Sequence, residues 1–228
     1  VIGGIAFISG MPVTVIGHQK GRSLDENVKH RFGMPNPEGY RKAVRLMKQA
    51  EKFNRPVITF VDTPGAYPGL EAEAGGQGEA IASCIAALGR LRTPVISVFI
   101  GEGGSGGALA FGVCDKVIML ENSVFSILSP EGFASILWKD SSRWRDACQL
   151  MKITAEDLKA LGICDKILPE PEGGAQEDKI AVFKAVRSEL EKSLEEFRGE
   201  SGAKLAEKRY RRLRNIGKNI DKRKADIG

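Results

Sequence analysis

Histidine is nearly missing: His18 and His30 are the only two in a chain of 228 residues. A site built on a histidine cluster is therefore excluded, whether for metal binding or for acid–base relay. Cys84, Cys114, Cys148 and Cys164 stand far apart, with no Cys-x-x-Cys pair and no histidine close in sequence. That spacing argues against a zinc site or a disulfide framework and for buried, reduced thiols, so no metal is expected in this chain. No Gly-Lys-Ser or Gly-Lys-Thr occurs, which removes the phosphate loop of a nucleotide hydrolase even though Asp62-Thr63-Pro64-Gly65 has the look of a GTPase switch. No apolar run reaches the ~18 residues of a membrane span, and no leader peptide is visible. These absences predict a soluble protein of a reducing compartment such as the cytoplasm, with no membrane partner.

What is present is ordinary in bulk and uneven in detail. A chain with 42% hydrophobic and 28% charged residues can bury one full core. The net charge is +5, but residues 204–228 alone hold ten basic and three acidic side chains, so the remainder is slightly acidic. Without aromatic-studded basic surface or zinc-finger spacing, this tail reads as a solvated terminal helix or flexible end, and nucleic acid is not an expected partner. The chain opens at Val1 inside a strand-like run without an initiator Met, and so reads as lacking an N-terminal segment.

Along the chain, Ile2–Ile8 and Val13–Gly17 read as two strands of a hairpin. After Pro35 and Pro37, the spacing of Tyr40, Val44, Met47 and Ala50 predicts a helix with a basic outer face. Pro56–Val61 and Pro94–Ile100 are continuous apolar runs of the kind buried on both faces of a parallel sheet. Residues 78–91 read as a helix, and 116–120, 124–128 and 163–168 as short strands. Thr154 and Asp157 suggest a helix cap, and Ser129-Pro130-Glu131-Gly132 a helix start. Ile180, Phe183, Val186, Leu190, Leu194 and Phe197 predict one long amphipathic helix. The alternation is that of an α/β fold, in which ligands collect at the carboxyl ends of parallel strands.

Both buried strands run into glycine-rich loops there: residues 62–69, and 101–107 with five glycines in seven positions. The second stretch, ahead of a helix-compatible run at 108–113, is a place for backbone to approach a ligand. As a dinucleotide fingerprint it lacks the acidic residue at the end of the next strand. As a nucleophile elbow around Ser105, both candidate bases, His18 and His30, come before the serine, against the usual order. What remains is a site working through backbone donors, two N–H groups aimed at one oxygen as negative charge develops.

The segments Gly17–Arg22, Phe32–Pro35, Pro37–Lys42, Asp62–Gly69, Gly101–Ala110 and Ser129–Gly132 together resemble the carboxyltransferase α-subunit family of bacterial and plastid-type acetyl-CoA carboxylases, over nearly residues 1–175. The resemblance implies a crotonase-like (ClpP/crotonase) spiral of ββα units at 1–170 and a helical extension with a basic tail at 171–228. It implies an α₂β₂ heterotetramer with a separate β subunit, the only subunit expected to carry zinc, and further partners in a biotin carboxyl carrier protein and a biotin carboxylase. The implied reaction moves the carboxyl group of carboxybiotin to acetyl-CoA, giving malonyl-CoA for fatty acid synthesis. On the family pattern of glycines ahead of a Cys-Asp pair, here Cys114-Asp115, the catalytic donors fall at Gly106 and Gly107, with Gly65, Ala66, Gly103 and Gly104 as biotin-binding wall. His18, Lys20 and Arg22 are either an exposed turn or a contact for the carrier or a CoA phosphate. Two other readings stay open: a subunit of another biotin-dependent acyl-CoA carboxyltransferase or decarboxylase, and a non-catalytic assembly subunit.

Overall fold

The computed structural model describes residues 1–218. In chain order the elements are β1 (Ile2–Ile8), β2 (Met11–Gly17), α1 (Leu24–Lys29), α2 (Pro37–Lys52), β3 (Val57–Thr63), α3 (Leu70–Ala74), α4 (Gln77–Arg90), β4 (Val95–Gly104), α5 (Ser105–Gly112), β5 (Lys116–Leu120), β6 (Val124–Ser126), α6 (Pro130–Trp138), α7 (Trp144–Met151), α8 (Ala155–Ala160), β7 (Lys166–Leu168), α9 (Lys179–Glu196) and α10 (Gly202–Asn215). Strands β1-β2-β3-β4-β5-β7 lie side by side, and β6 joins β4 beyond the end of β5. Only the β1–β2 hairpin is antiparallel; every other pairing is parallel.

The buried strands have one apolar set for each face, as side-chain alternation requires. On one face Val57, Val61, Phe99 and Met119 pack with Tyr40 and Met47 of α2, Cys84 and Leu88 of α4, and Phe111 of α5. On the other, Val13, Ile58, Ile96, Val98 and Ile118 are covered by Val182, Val186, Leu190 and Leu194 of α9. The expected stripe on α9 is half right: Ile180 and Phe183 are 66% and 68% exposed, and the buried row is rotated to include Glu189 and Ser193. Lys116 reaches the Glu189 carboxylate at 3.1 Å, which pairs that buried charge.

Two expectations need correction. The 101–107 stretch is not a loop. Strand β4 continues through Gly104 because residues 102–104 pair with β6 and Gly103 pairs with Thr63, and α5 starts at once from Ser105. The basic tail is not a solvated end either, as far as it is described; residues 219–228 lie outside the described part. Ser201 caps α10 by accepting the Lys204 N–H, and Arg209 on that helix is fully buried.

Arg209 uses all five of its N–H donors. Nε and one Nη2 hydrogen reach Asp115 Oδ1 and Oδ2 at 3.0 and 2.6 Å, and the others reach the carbonyls of Leu88, Leu91 and Thr93 at 2.6–2.9 Å. These groups lie just before β4 and β5, so α10 closes the amino end of the sheet, opposite the glycine-rich segments.

Asp115 belongs to a short internal repeat, Gly112-Val113-Cys114-Asp115-Lys116-Val117 and Gly162-Ile163-Cys164-Asp165-Lys166-Ile167. The copies have the same local structure. The Asp115 carboxylate accepts the N–H of Val95 at the start of β4 at 2.8 Å, while its own N–H donates to the Val95 carbonyl at 2.9 Å. Asp165 repeats both bonds one strand over, with Val117, at 2.7 and 2.9 Å. The thiols of Cys114 and Cys164 donate to the carbonyls of Lys116 and Lys166. Arg212, one turn beyond Arg209, pairs with Asp165 at 2.6 Å. The two arginines of α10 therefore hold the two aspartates of the repeat.

Removing one partner of a buried ion pair leaves the other charge uncompensated, a loss of about 3–5 kcal/mol. Arg209→Leu is expected to lower the melting temperature by about 10 °C or more, given about 2–4 °C per kcal/mol in a protein of this size. Thermal unfolding followed by circular dichroism checks this; a shift of only a degree or two contradicts it.

Candidate active site

The two glycine-rich segments meet. A Cβ on Gly104 would lie 1.9 Å from the Pro64 carbonyl oxygen, and one on Gly107 would lie 2.6 Å from the Gly65 carbonyl carbon and 2.7 Å from the Ala66 nitrogen. Only glycine permits this backbone-on-backbone contact. Gly103 is buried in the end of β4, where a Cβ would meet the Phe99 ring at 2.7 Å and the Val124 carbonyl at 2.9 Å. Thr63 braces the first loop from within, its hydroxyl donating to the Gly65 carbonyl at 2.7 Å.

Gly106 differs from its neighbours. A Cβ there would meet only Ile81 Cγ2 at 3.5 Å, an ordinary contact. Packing within the chain does not demand glycine at this position. Ser105 just before it has φ of +51°, a conformation that costs a non-glycine residue about 1–3 kcal/mol and concentrates at functional sites. The strained turn directs the first turn of α5, whose leading N–H groups have no helical carbonyl to bind, toward the carboxyl end of the sheet.

Ser105 and Gly106 of that turn border a cavity of about 450 Å³ whose other lining residues include Leu109, Phe125, Ile127, Leu158 and Ile163. The apolar residues come from α5, from β6 and its exit, and from the end of α8 and the turn after it. Residues 158 and 163 are more than 50 positions from the glycines, and nothing in their type marks them as site residues. Phe125, Ile127 and Ile163 stand in short predicted strands, at 124–128 and 163–168, which gives them no site signal of their own. The cavity is open to solvent on the side of Ile127, which is 75% exposed, and its wall is mostly apolar with polar backbone at one end. Gly107 is buried behind Gly106, and Gly65 and Ala66 form the support under Gly107.

The opposite side of α5 is held by polar contacts that the sequence did not reveal. The hydroxyls of Thr59 and Ser97 both approach the Phe111 carbonyl at 2.7 Å, fixing the last turn of the helix. His18 stacks on the Phe111 ring at 4.5 Å, and its Nδ1 accepts the Asp62 N–H. Among the described residues no hydrogen-bond partner reaches its buried Nε2, and none joins it to Ser105. The elbow-type hydrolase arrangement is thus not formed. Lys20 binds Asp62 at 2.8 Å and Glu102 at 2.6 Å, while the Glu102 N–H donates to Asp62. Burial alone would lower the Lys20 pKa, but the two carboxylates outweigh it and hold the ammonium charged. Of the basic cluster at 18–22, Lys20 and His18 are therefore committed within the chain, and Arg22 is exposed.

Comparison with known proteins shows the family. Residues 1–217 match the family model described as acetyl co-enzyme A carboxylase carboxyltransferase-like. The chain is 62% identical over 221 residues to the acetyl-coenzyme A carboxylase carboxyl transferase subunit alpha of Clostridium acetobutylicum, covering 97% of this chain and 81% of that one. It is 58% identical to part of the subunits beta/alpha protein of Natranaerobius thermophilus, covering 99% of this chain and 37% of that one. Among solved structures, a Pseudomonas malonate decarboxylase hetero-tetramer with coenzyme A aligns at a TM-score of 0.75, 18% identical, over 99% of this chain and 88% of that one. The transcarboxylase 12S core with methylmalonyl-coenzyme A aligns at 0.71, 20% identical, over 86% and 36%. The fold is the crotonase-like one these carboxyltransferases share. No helix among the described residues is long and apolar enough to cross a membrane.

The His18 ring gives a pH test of the packing under α5. Desolvation, with neighbouring positive charge including Lys20 adding to it, pushes its pKa down to about 3. The unfolded chain binds this proton at about 6.5. Stability contributed by the neutral ring is therefore complete above about pH 6.5 and is lost as pH falls toward 3, at about 1.4 kcal/mol per unit. His18→Gln, which cannot take up the proton, is expected to flatten the fall in unfolding free energy between pH 6 and 4. Chemical denaturation across that range measures it, and an unchanged slope sinks the assignment.

Proposed function

The chain belongs to the acetyl-coenzyme A carboxylase carboxyltransferase family, and from that premise we propose that the first turn of α5 is its oxyanion site for carboxyl transfer. The activity is that of a biotin-dependent carboxyltransferase acting on acetyl-CoA, and the relatives' division into alpha and fused beta/alpha chains implies a β-type partner. The observation that carries the assignment is the contrast between Gly107 and Gly106: one is glycine because the Gly65–Ala66 backbone leaves no room, the other borders a cavity with room to spare.

Biotin carried on a separate protein supplies the carboxyl group when bound. In this reading the N–H groups of Gly106 and Gly107 would hold the biotin ureido oxygen and would supply hydrogen bonds to any negative charge there. Their orientation is fixed beforehand by the Ser105 turn and by the contact with Gly65 and Ala66, so no reorganisation is needed to meet it. Phe125, Leu109 and Ile127 give the donors an apolar border. Gly103 and Gly104 complete the wall from behind, their compactness letting β4 and the 62–69 loop come together. Among the described residues no cluster of histidine, cysteine or acidic side chains could hold a metal ion.

The thioester is left to the partner, giving an active site shared between chains. An α₂β₂ assembly, a zinc-bearing β subunit, a biotin carboxyl carrier and a biotin carboxylase complete the proposed enzyme, which produces malonyl-CoA for fatty acid synthesis in the cytoplasm or stroma.

Gly106→Val is expected to fold, since the added atoms face Ile81 at contact distance, while misdirecting one donor. Loss of one such donor typically costs about 10²–10³ in kcat. Malonyl-CoA-dependent carboxylation of biocytin by the chain assembled with its β-type partner measures this; a folded variant with near-normal turnover refutes the site.

A further inference from the structure

Helix α10 lies at the opposite end of the sheet from the first turn of α5, yet it is tied to the cavity wall. We infer that Arg212 is a positioning residue of the carboxyl-transfer site, holding the Ile163 side of the cavity in place from α10. The inference rests on the reading of that cavity as the biotin site.

Four observations lead there. First, Arg212 Nη2 donates both to the Asp165 carboxylate at 2.6 Å and to the Ile163 carbonyl at 2.8 Å, and Ile163 lines the cavity. Second, no other donor reaches the Ile163 carbonyl among the described residues. The turn from Leu158 to Cys164 is otherwise fixed by its own bonds, the N–H groups of Ile163 and Cys164 both donating to the Leu158 carbonyl, and Leu158 is the cavity's other lining residue from this turn. Third, the helix is a firm platform: Arg209 is anchored in the core, Leu205 is 2% exposed and Leu213 packs against the main core cluster. Fourth, Arg209 fixes Asp115, which follows the end of α5 by three residues, so one helix braces two sides of the cavity through two arginines spaced one turn apart.

The motif repeat explains why the device exists. Asp165 ties β7 to β5 as Asp115 ties β5 to β4, but Arg209 is fully enclosed whereas the Arg212 side chain is 19% exposed. The first pair is built for holding the fold. The second is partly exposed, with Asp165 at 36%, and so holds the fold less firmly, while Arg212 reaches the Ile163 carbonyl directly.

The test uses the full chain assembled with its β-type partner, assaying carboxyl transfer from malonyl-CoA to biocytin. Arg212→Ala is expected to raise the KM for biocytin about tenfold, within the ~10²-fold that a 1 Å misplacement can cost, and to leave the KM for malonyl-CoA within about twofold, since the thioester is bound elsewhere. A purely structural role would reduce the active fraction without moving either KM. Arg211→Ala removes an exposed arginine paired with Glu207 on the same helix and should change nothing. If Arg212→Ala does not fold, Arg212→Lys, which keeps the charge but not the planar fork, is assayed in the same way. An unchanged biocytin KM in the folded variant, alongside a disabled Gly106→Val, overturns the positioning role while leaving the site intact. Unchanged kinetics in both variants overturn the site assignment and this inference together.

Discussion

The contact between the first turn of α5 and the backbone of Gly65 and Ala66 is the constraint from which the rest of the site follows. Two stretches of main chain approach closer than any side chain allows, so Gly104 and Gly107 are fixed as glycines by steric exclusion. The same closeness draws β4 onward past Ile100 until it pairs with Thr63 and with β6, and it leaves no length for a loop between strand and helix. The turn is made in one strained residue, Ser105. Gly106 then emerges on the far side of that contact, next to a cavity, with no packing reason of its own.

The support for α5 is polar on three sides. Thr59 and Ser97 hold its last carbonyl, His18 stacks beneath it, and Asp115 just beyond its end is locked by Arg209. Each of these groups is enclosed and nearly all are satisfied, which is how a buried polar network confers one definite geometry rather than a range. A helix carrying donors for a transient charge benefits from that rigidity, because donors that must move to meet the charge lose much of their effect.

The fold class and the convergence of two glycine-rich segments were legible in residues 56–69 and 94–112, because buried parallel strands write themselves as unbroken apolar runs and close backbone contacts as glycine. The continuation of β4 through Gly104 was not legible, since strand pairing with residues 124–126 overrides the low strand propensity of glycine only once both are in place. Ile163 and Leu158 were invisible as site residues, being apolar side chains whose role is set by a turn more than 50 residues away from the donors. Arg209 was hidden for a different reason. In a run with ten basic residues nothing distinguishes the one that is fully buried from those in water, and only the acidic partner at Asp115, 94 positions earlier, singles it out. The repeat around Cys114 and Cys164 lay open in the sequence, but its meaning depends on seeing that each aspartate caps the neighbouring strand.

That repeat also bears on how the chain assembles. Asp115 caps β4 only when β5 has docked, and Asp165 caps β5 only when β7 has docked, so the paired carboxylates that receive α10 exist as a complete receptor only after three strands are aligned. Because α10 is synthesised after all of them, a ribosome-bound chain that has emerged only to the end of α9 has its glycine turn and its sheet but no clasp across their base. Docking of α10 thus depends on the strand order of the segments before it, because the receptor it needs is complete only when β4, β5 and β7 stand in register.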